Sequence, residues 1–104
     1  MARVLALAPD LFFASKIDAT LKAAGHDVTI VGKGPVTGDP EVVIVDLDNA
    51  PADVAAPLGA PRLGFYSHVD VDTKRRAEDA GFDLVVPRSR MAREMPQLVA
   101  SLLG

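Results

Sequence analysis

The residues from Glu41 to Asp46, Glu-Val-Val-Ile-Val-Asp, constrain the fold of this chain more than any other stretch. Four β-branched residues in succession make an extended segment apolar on both of its faces. Such a segment belongs in the middle of a parallel sheet, where helices cover it above and below. The run ends on a carboxylate. Ligand and catalytic groups in parallel sheets lie just beyond the carboxyl ends of the strands, so Asp46 marks where a site would stand.

The rest of the chain repeats the strand and helix pattern. Arg3 to Ala8 reads as a first strand, closed by Pro9, with Asp10 placed to N-cap the next helix. That helix is predicted from Leu11 to Ala24, with Phe13, Ile17, Leu21 and Ala24 as its buried stripe and Gly25 as its C-cap. Phe12, about 100° around the helix from Phe13, is expected on the flank of the core, with an exposed interface aromatic as the alternative. Val28 to Val31 makes a second strand. The nine residues from Gly32 to Pro40 are dense in turn formers, so the helix that should cross to the third strand is lost or very short. After the Glu41 to Asp46 strand, Pro51 and Pro57 confine any helix to about Pro51 to Ala56. Arg62 to Tyr66 is a fourth strand, Asp70 to Ala80 a helix ended by Gly81, and Phe82 to Val86 a fifth strand. Arg90 to Leu103 closes the chain as a helix interrupted at Pro96 and docked through Met95, Leu98, Val99 and Leu102.

Five strands alternating with helices predict a three-layer α/β sandwich around a parallel sheet, in the order 2-1-3-4-5. All 104 residues are assigned to this single domain. The switch point then falls between the first and third strands. It brings Ala8, Pro9 and Asp10 beside Asp46, Leu47 and Asp48, with Ser67, His68, Arg88 and Ser89 farther along the same rim.

Composition excludes several functions. A formal charge of −3 gives no bulk attraction to nucleic acid or to an anionic membrane. With no cysteine there is no disulfide, thiolate metal site or cysteine nucleophile. Val4 to Ala8 is too short for an export signal or a membrane span, and a cytoplasmic location is expected. No nucleophile and base pair can be read, so no enzyme is expected.

Val42-Val-Ile-Val-Asp46, the hydroxyl of Ser67 after the fourth strand, and Ala80-Gly-Phe-Asp-Leu-Val-Val together resemble the receiver domain of bacterial response regulators, the CheY-like, flavodoxin-like fold. The resemblance covers essentially the whole chain. It implies that Asp46 stands at the phosphoacceptor position and Ser67 at the small-hydroxyl position. Counted ungapped from Ala80-Gly81, Arg88 falls where receivers carry a lysine, and Ser89 where proline usually follows. The acidic pair that holds Mg²⁺ in receivers falls on Ala8 and Pro9, counted back from Gly25. Neither side chain can ligate a metal, and Mg²⁺ is what neutralises charge during phosphoryl transfer. Ala50 stands where receivers place a proline, and Pro51 follows it. The resemblance therefore implies a stand-alone regulatory or protein-interaction module without cofactor, a pseudo-receiver whose chemistry is stripped. The alternatives are an atypical receiver phosphorylated on Asp46, and a small anionic-ligand or nucleotide-binding domain.

For Asp46 three roles stay open: capping local amides or facing water, pairing with Arg88, or residual phosphate acceptance. Gly32-Lys-Gly-Pro-Val-Thr-Gly lacks the Gly-Lys-Ser/Thr ending of a phosphate loop and reads as a turn. In His68-Val-Asp-Val-Asp72 the aspartates are helix-start carboxylates, not metal ligands. Arg88, Arg90 and Arg93 fall within six residues after a strand end, with Ser89 placed to cap the helix. The cluster is either a solvated face or a contact for an anion or acidic partner, which Lys74, Arg75 and Arg76 would extend. In receivers the face of the fourth helix, fifth strand and fifth helix serves partner binding or self-association, and these arginines lie toward it.

Overall fold

A computed structural model describes residues 2–33, 38–49, 59–67 and 71–103. The five strands are β1 (Arg3–Leu7), β2 (Asp27–Val31), β3 (Val42–Asp46), β4 (Arg62–Tyr66) and β5 (Leu84–Pro87); the helices are α1 (Leu11–Ala23), α2 (Val71–Asp79) and α3 (Arg88–Leu103). All neighbouring strands pair in parallel, in the order β2-β1-β3-β4-β5. This is the sheet expected from the sequence.

Burial of β3 on both faces sets the layers. All five of its residues are buried. Val42 and Ile44, with Val4, Ala6, Leu63 and Phe65, face α1 and α3, which contribute Phe13, Ile17, Leu21, Met91, Met95 and Val99. Val43 and Val45, with Leu5 and Leu7, face the opposite side, together with Ala77 of α2 and Phe82. Between β2 and β3 no helix occurs among the described residues. The expected Pro51 to Ala56 helix lies outside them, as do His68, Val69, Asp70 and residues 34–37.

Several boundaries differ from the sequence reading. β1 ends at Leu7, and β5 begins at Leu84, because Phe82 turns back to pack beneath β4. On α1 Ala14 is buried, whereas Ala24 is its exposed C-cap. Phe12 is 91% exposed and Leu11 80%, so Phe12 is not on the core flank. The reason is angular: Phe13 points onto Phe65, with ring centroids 4.7 Å apart, and this turns the preceding residues outward. α3 begins at Arg88, immediately after β5, which places Ser89 inside the helix and removes it as a cap. Pro96 cannot donate to the carbonyl four residues back, and α3 kinks at Glu94, where φ is −121° and ψ 18°.

Gly64 in β4 is required by packing. A Cβ there would lie 2.6 Å from Leu47 Cδ1 and 3.0 Å from the Phe82 ring. The Gly64→Ala variant should lose about 1–3 kcal/mol by urea denaturation, with the fold retained. An unchanged midpoint would mean that the β4–Phe82 contact is loose.

Candidate functional site

The carboxyl ends of β1, β3, β4 and β5 form the rim: Asp10 stands three residues beyond β1, Asp46 ends β3 with Asp48 two residues on, and Ser67 and Arg88 directly follow β4 and β5. These groups do not converge on one point.

Asp10 follows β1 and N-caps α1. One carboxylate oxygen, Oδ1, accepts from the backbone N–H of Phe12 at 3.0 Å and of Phe13 at 3.4 Å. The other, Oδ2, accepts from Arg88 Nη2 at 2.5 Å. The Arg88 guanidinium also lies over the Phe13 ring, 4.4 Å from its centroid. A guanidinium on an aromatic face beside a carboxylate gains from both contacts, because it is weakly hydrated and flat. The hydrogen bond from Arg88 is the main cause that holds the Asp10 carboxyl below its ordinary range; the N–H groups of Phe13 and Phe12 add to it and desolvation opposes it.

Asp46 is fully buried. Its Oδ1 accepts from the Asp48 backbone N–H at 3.0 Å, and its Oδ2 accepts from Asn49 Nδ2 at 2.8 Å. The Asn49 N–H returns to the Asp46 carbonyl at 3.2 Å. Asp46 therefore closes its own turn. Of the three roles left open for Asp46, this is the local capping; the Asp46–Arg88 pair does not form, because Phe13 and Asp10 hold the guanidinium on the α1 side of the rim.

Ser67 after β4 belongs to Asp48. Its backbone N–H donates to Asp48 Oδ2 at 2.9 Å, and its hydroxyl donates to the same oxygen. The Asp48 carboxylate thus ties the loop after β3 to the loop after β4. The sequence placed Asp48 on the rim without giving it this role.

The arginine cluster divides. Arg88 turns to Asp10, while Arg90 Nε lies 3.5 Å and Arg93 Nη2 3.2 Å from Glu94 Oε2. Ser89, Arg90 and Arg93 are exposed. Glu94 neutralises part of the charge expected there, and its position one turn after Arg90 was readable as an i,i+4 pair.

Mg²⁺, which the receiver resemblance implies, does not fit these residues. Ala8 and Pro9, where the resemblance puts the acidic pair, have no side chain that can ligate a metal; both oxygens of buried Asp46 accept hydrogen bonds, and Asp10 is ion-paired. Among the described residues no three acidic, histidine or cysteine side chains are grouped as metal ligands. No helix of the described residues is long and apolar enough to cross a membrane.

No protein-family model matches the chain, and no curated protein matches its sequence. Solved structures do match its fold. The chain is similar to the chemotaxis response regulator CheY4 of Vibrio cholerae, at 16% identity and a TM-score of 0.85, over 99% of each chain. It is similar to the non-phosphorylated HemR receiver domain of Leptospira biflexa, at 14% identity and a TM-score of 0.83, over 100% of this chain and 95% of that one. The Francisella response regulator 1452 receiver domain gives 16% identity and a TM-score of 0.82, over 99% and 97%. The fold is that of a CheY-like receiver domain.

Acid should separate the rim pair from the rest of the fold. A carboxyl held low in the native state contributes stability that is fully present above the unfolded-state value, about pH 4, and is lost as pH falls through the native value. Asn keeps the N-cap but cannot form the ion pair. The Asp10→Asn variant should therefore be less stable than the parent at pH 7 and lose less stability below about pH 4. Parallel pH profiles in urea melts would show that the pair contributes nothing.

Proposed function

We propose that the chain is a receiver-like regulatory module that acts through protein contact and does not accept phosphate. The observation that carries this reading is the state of Asp46, which is fully buried with both carboxylate oxygens engaged by its own turn. An in-line attack on a phosphodonor needs an exposed oxygen and a cation to neutralise the developing charge. The buried Asp46 carboxylate exposes no oxygen, and Ala8 and Pro9 bring no side-chain ligand for such a cation. Arg88, at the position where receivers carry a lysine, is committed to Asp10 and Phe13, and Ser67 to Asp48.

The contact surface in this reading is the face of α2, β5 and α3, by likeness to receivers. Among the described residues β5 is an edge strand with one unpaired side. Exposed Lys74, Arg75 and Arg76 lie on α2, and exposed Ser89, Arg90 and Arg93 on α3. The occupant is a protein partner or a second copy of the chain. A small-anion site has less support, since Arg88, Arg90 and Arg93 each already face a carboxylate. The apolar hollow of about 560 Å³ lined by Leu11, Ala14, Ser15, Asp18 and Ile30 includes no arginine or lysine.

Incubation with Mg²⁺ and a small acyl or phosphoramidate phosphodonor, read by intact mass, tests the proposal. No added phosphate is expected. A gain of about 80 Da that disappears in Asp46→Ala would overturn it and make the chain a working phosphoacceptor.

A further inference from the structure

Leu11 and Phe12 are the two most exposed large apolar side chains among the described residues. Their exposure follows from Phe13, which turns inward onto Phe65. One exposed apolar residue is ordinary, but two adjoining ones beside an apolar hollow mark a contact surface. The hollow, of about 560 Å³, lies between α1 and β2 and is lined by Leu11, Ala14, Ser15, Asp18 and Ile30. Among the described residues β2 is an edge strand, so the hollow opens at the side of the sheet.

Helix geometry sets these features on opposite flanks of one exposed face. At about 100° per residue, Lys16 lies roughly 40° from Phe12 on one side, and Leu11, Asp18 and Ala14 lie roughly 100° to 160° from it on the other. Between the flanks stand Ser15 and Ala19, both exposed and too small to hold a neighbouring helix away. α1 thus carries a knob and a cation on one flank, a hollow and a carboxylate on the other. A two-fold axis alongside α1 brings unlike flanks together twice. Each Phe12 then meets the hollow of the other copy, and each Lys16 meets the other Asp18, since the two residues differ by only about 3 Å along the helix. Asp18 pairs with Lys22 at 3.0 Å within its own helix, an exposed pair of the kind that contributes little and exchanges readily. The face therefore has the self-complementarity that an isologous contact requires, in shape and in charge.

We propose that the chain forms a two-fold dimer through α1, with Phe12 of each copy seated in the hollow of the other. This face is separate from that of α2, β5 and α3, so the proposal does not rest on the contact reading above. Leu11 and Phe12 expose roughly 300 Å² per copy, and with the hollow walls two copies bury about 1,000 Å² together, near the lower limit for a specific interface. The dimer is therefore weak and reversible.

Sedimentation equilibrium of the intact protein from about 10 µM to 1 mM should show a monomer–dimer equilibrium. A monomer throughout would overturn the proposal. Phe12→Ser, a change at an exposed side chain, should weaken the dimer about tenfold or more and leave the urea midpoint in place. Unchanged association in that variant would contradict the seat of Phe12. Lys16→Glu and Asp18→Lys should each weaken the dimer, and the two together should restore much of it; a double variant weaker than both would contradict the pairing of flanks. The chain has no cysteine, so one introduced thiol reports one position. Ser15 lies midway between the flanks, nearest the axis, and Ser15→Cys should give a disulfide-linked dimer in mild oxidant. Ser89→Cys on α3 should stay monomeric. Cross-linking at Ser89→Cys to an equal or greater extent would put self-association on the other face and overturn the α1 dimer.

Discussion

The Arg88 guanidinium joins parts of the rim that are far apart in the chain. It leaves the first residue of α3, lies on the Phe13 ring of α1 and ends on the Asp10 carboxylate after β1. Phe13 in turn rests on Phe65 of β4. One side chain therefore couples the start of α1, the start of α3 and the central sheet. The same contacts explain why the rim holds no open acid cluster. Asp10 cannot serve a metal while it neutralises Arg88, and Arg88 cannot reach Asp46 while it is stacked on Phe13. The remaining polar groups close on one another, Asp46 through its own turn and Asp48 through Ser67.

This arrangement separates the scaffold from the chemistry that receiver resemblance implies. The parallel sheet depends on strands buried on both faces, a demand met by Val42 to Val45, Val4 to Leu7 and Leu63 to Phe65 without any rim residue. The rim can thus exchange its charges while the sheet keeps its order. At 14–16% identity the chain reproduces receiver folds over nearly its full length. In this chain that fold rests on apolar patterning and on helix ends at Gly25 and Gly81, both at positive φ.

Legibility in the sequence followed the range of each interaction. The strands, the Asp10 cap and the local turn of Asp46 were open to reading because continuous apolar runs and capping act over a few residues, and the strand order followed from the alternation of strands with helices. The partner of Arg88 was not, because Asp10 and Asp46 are both rim aspartates in sequence and only the Phe13 stack decides between them. Phe12 was misplaced by one helical step, since periodicity gives the stripe but not its centre at a first turn. Arg62 carried no signal at all: an arginine opening a strand reads as solvated, and its burial arises from Gly81 and Phe82, some twenty residues later. Glu94, by contrast, was available as the i,i+4 partner of Arg90.

The most direct test of a rim closed by ion pairing is a double-mutant cycle on Asp10→Asn and Arg88→Met, followed by urea denaturation at pH 7. Asn retains the cap and Met retains much of the contact with Phe13, so the cycle isolates the charge pair. Strong coupling is expected, with the double variant little less stable than either single one. Additive losses would contradict it, and would mean that Asp10 and Arg88 act independently on the rim.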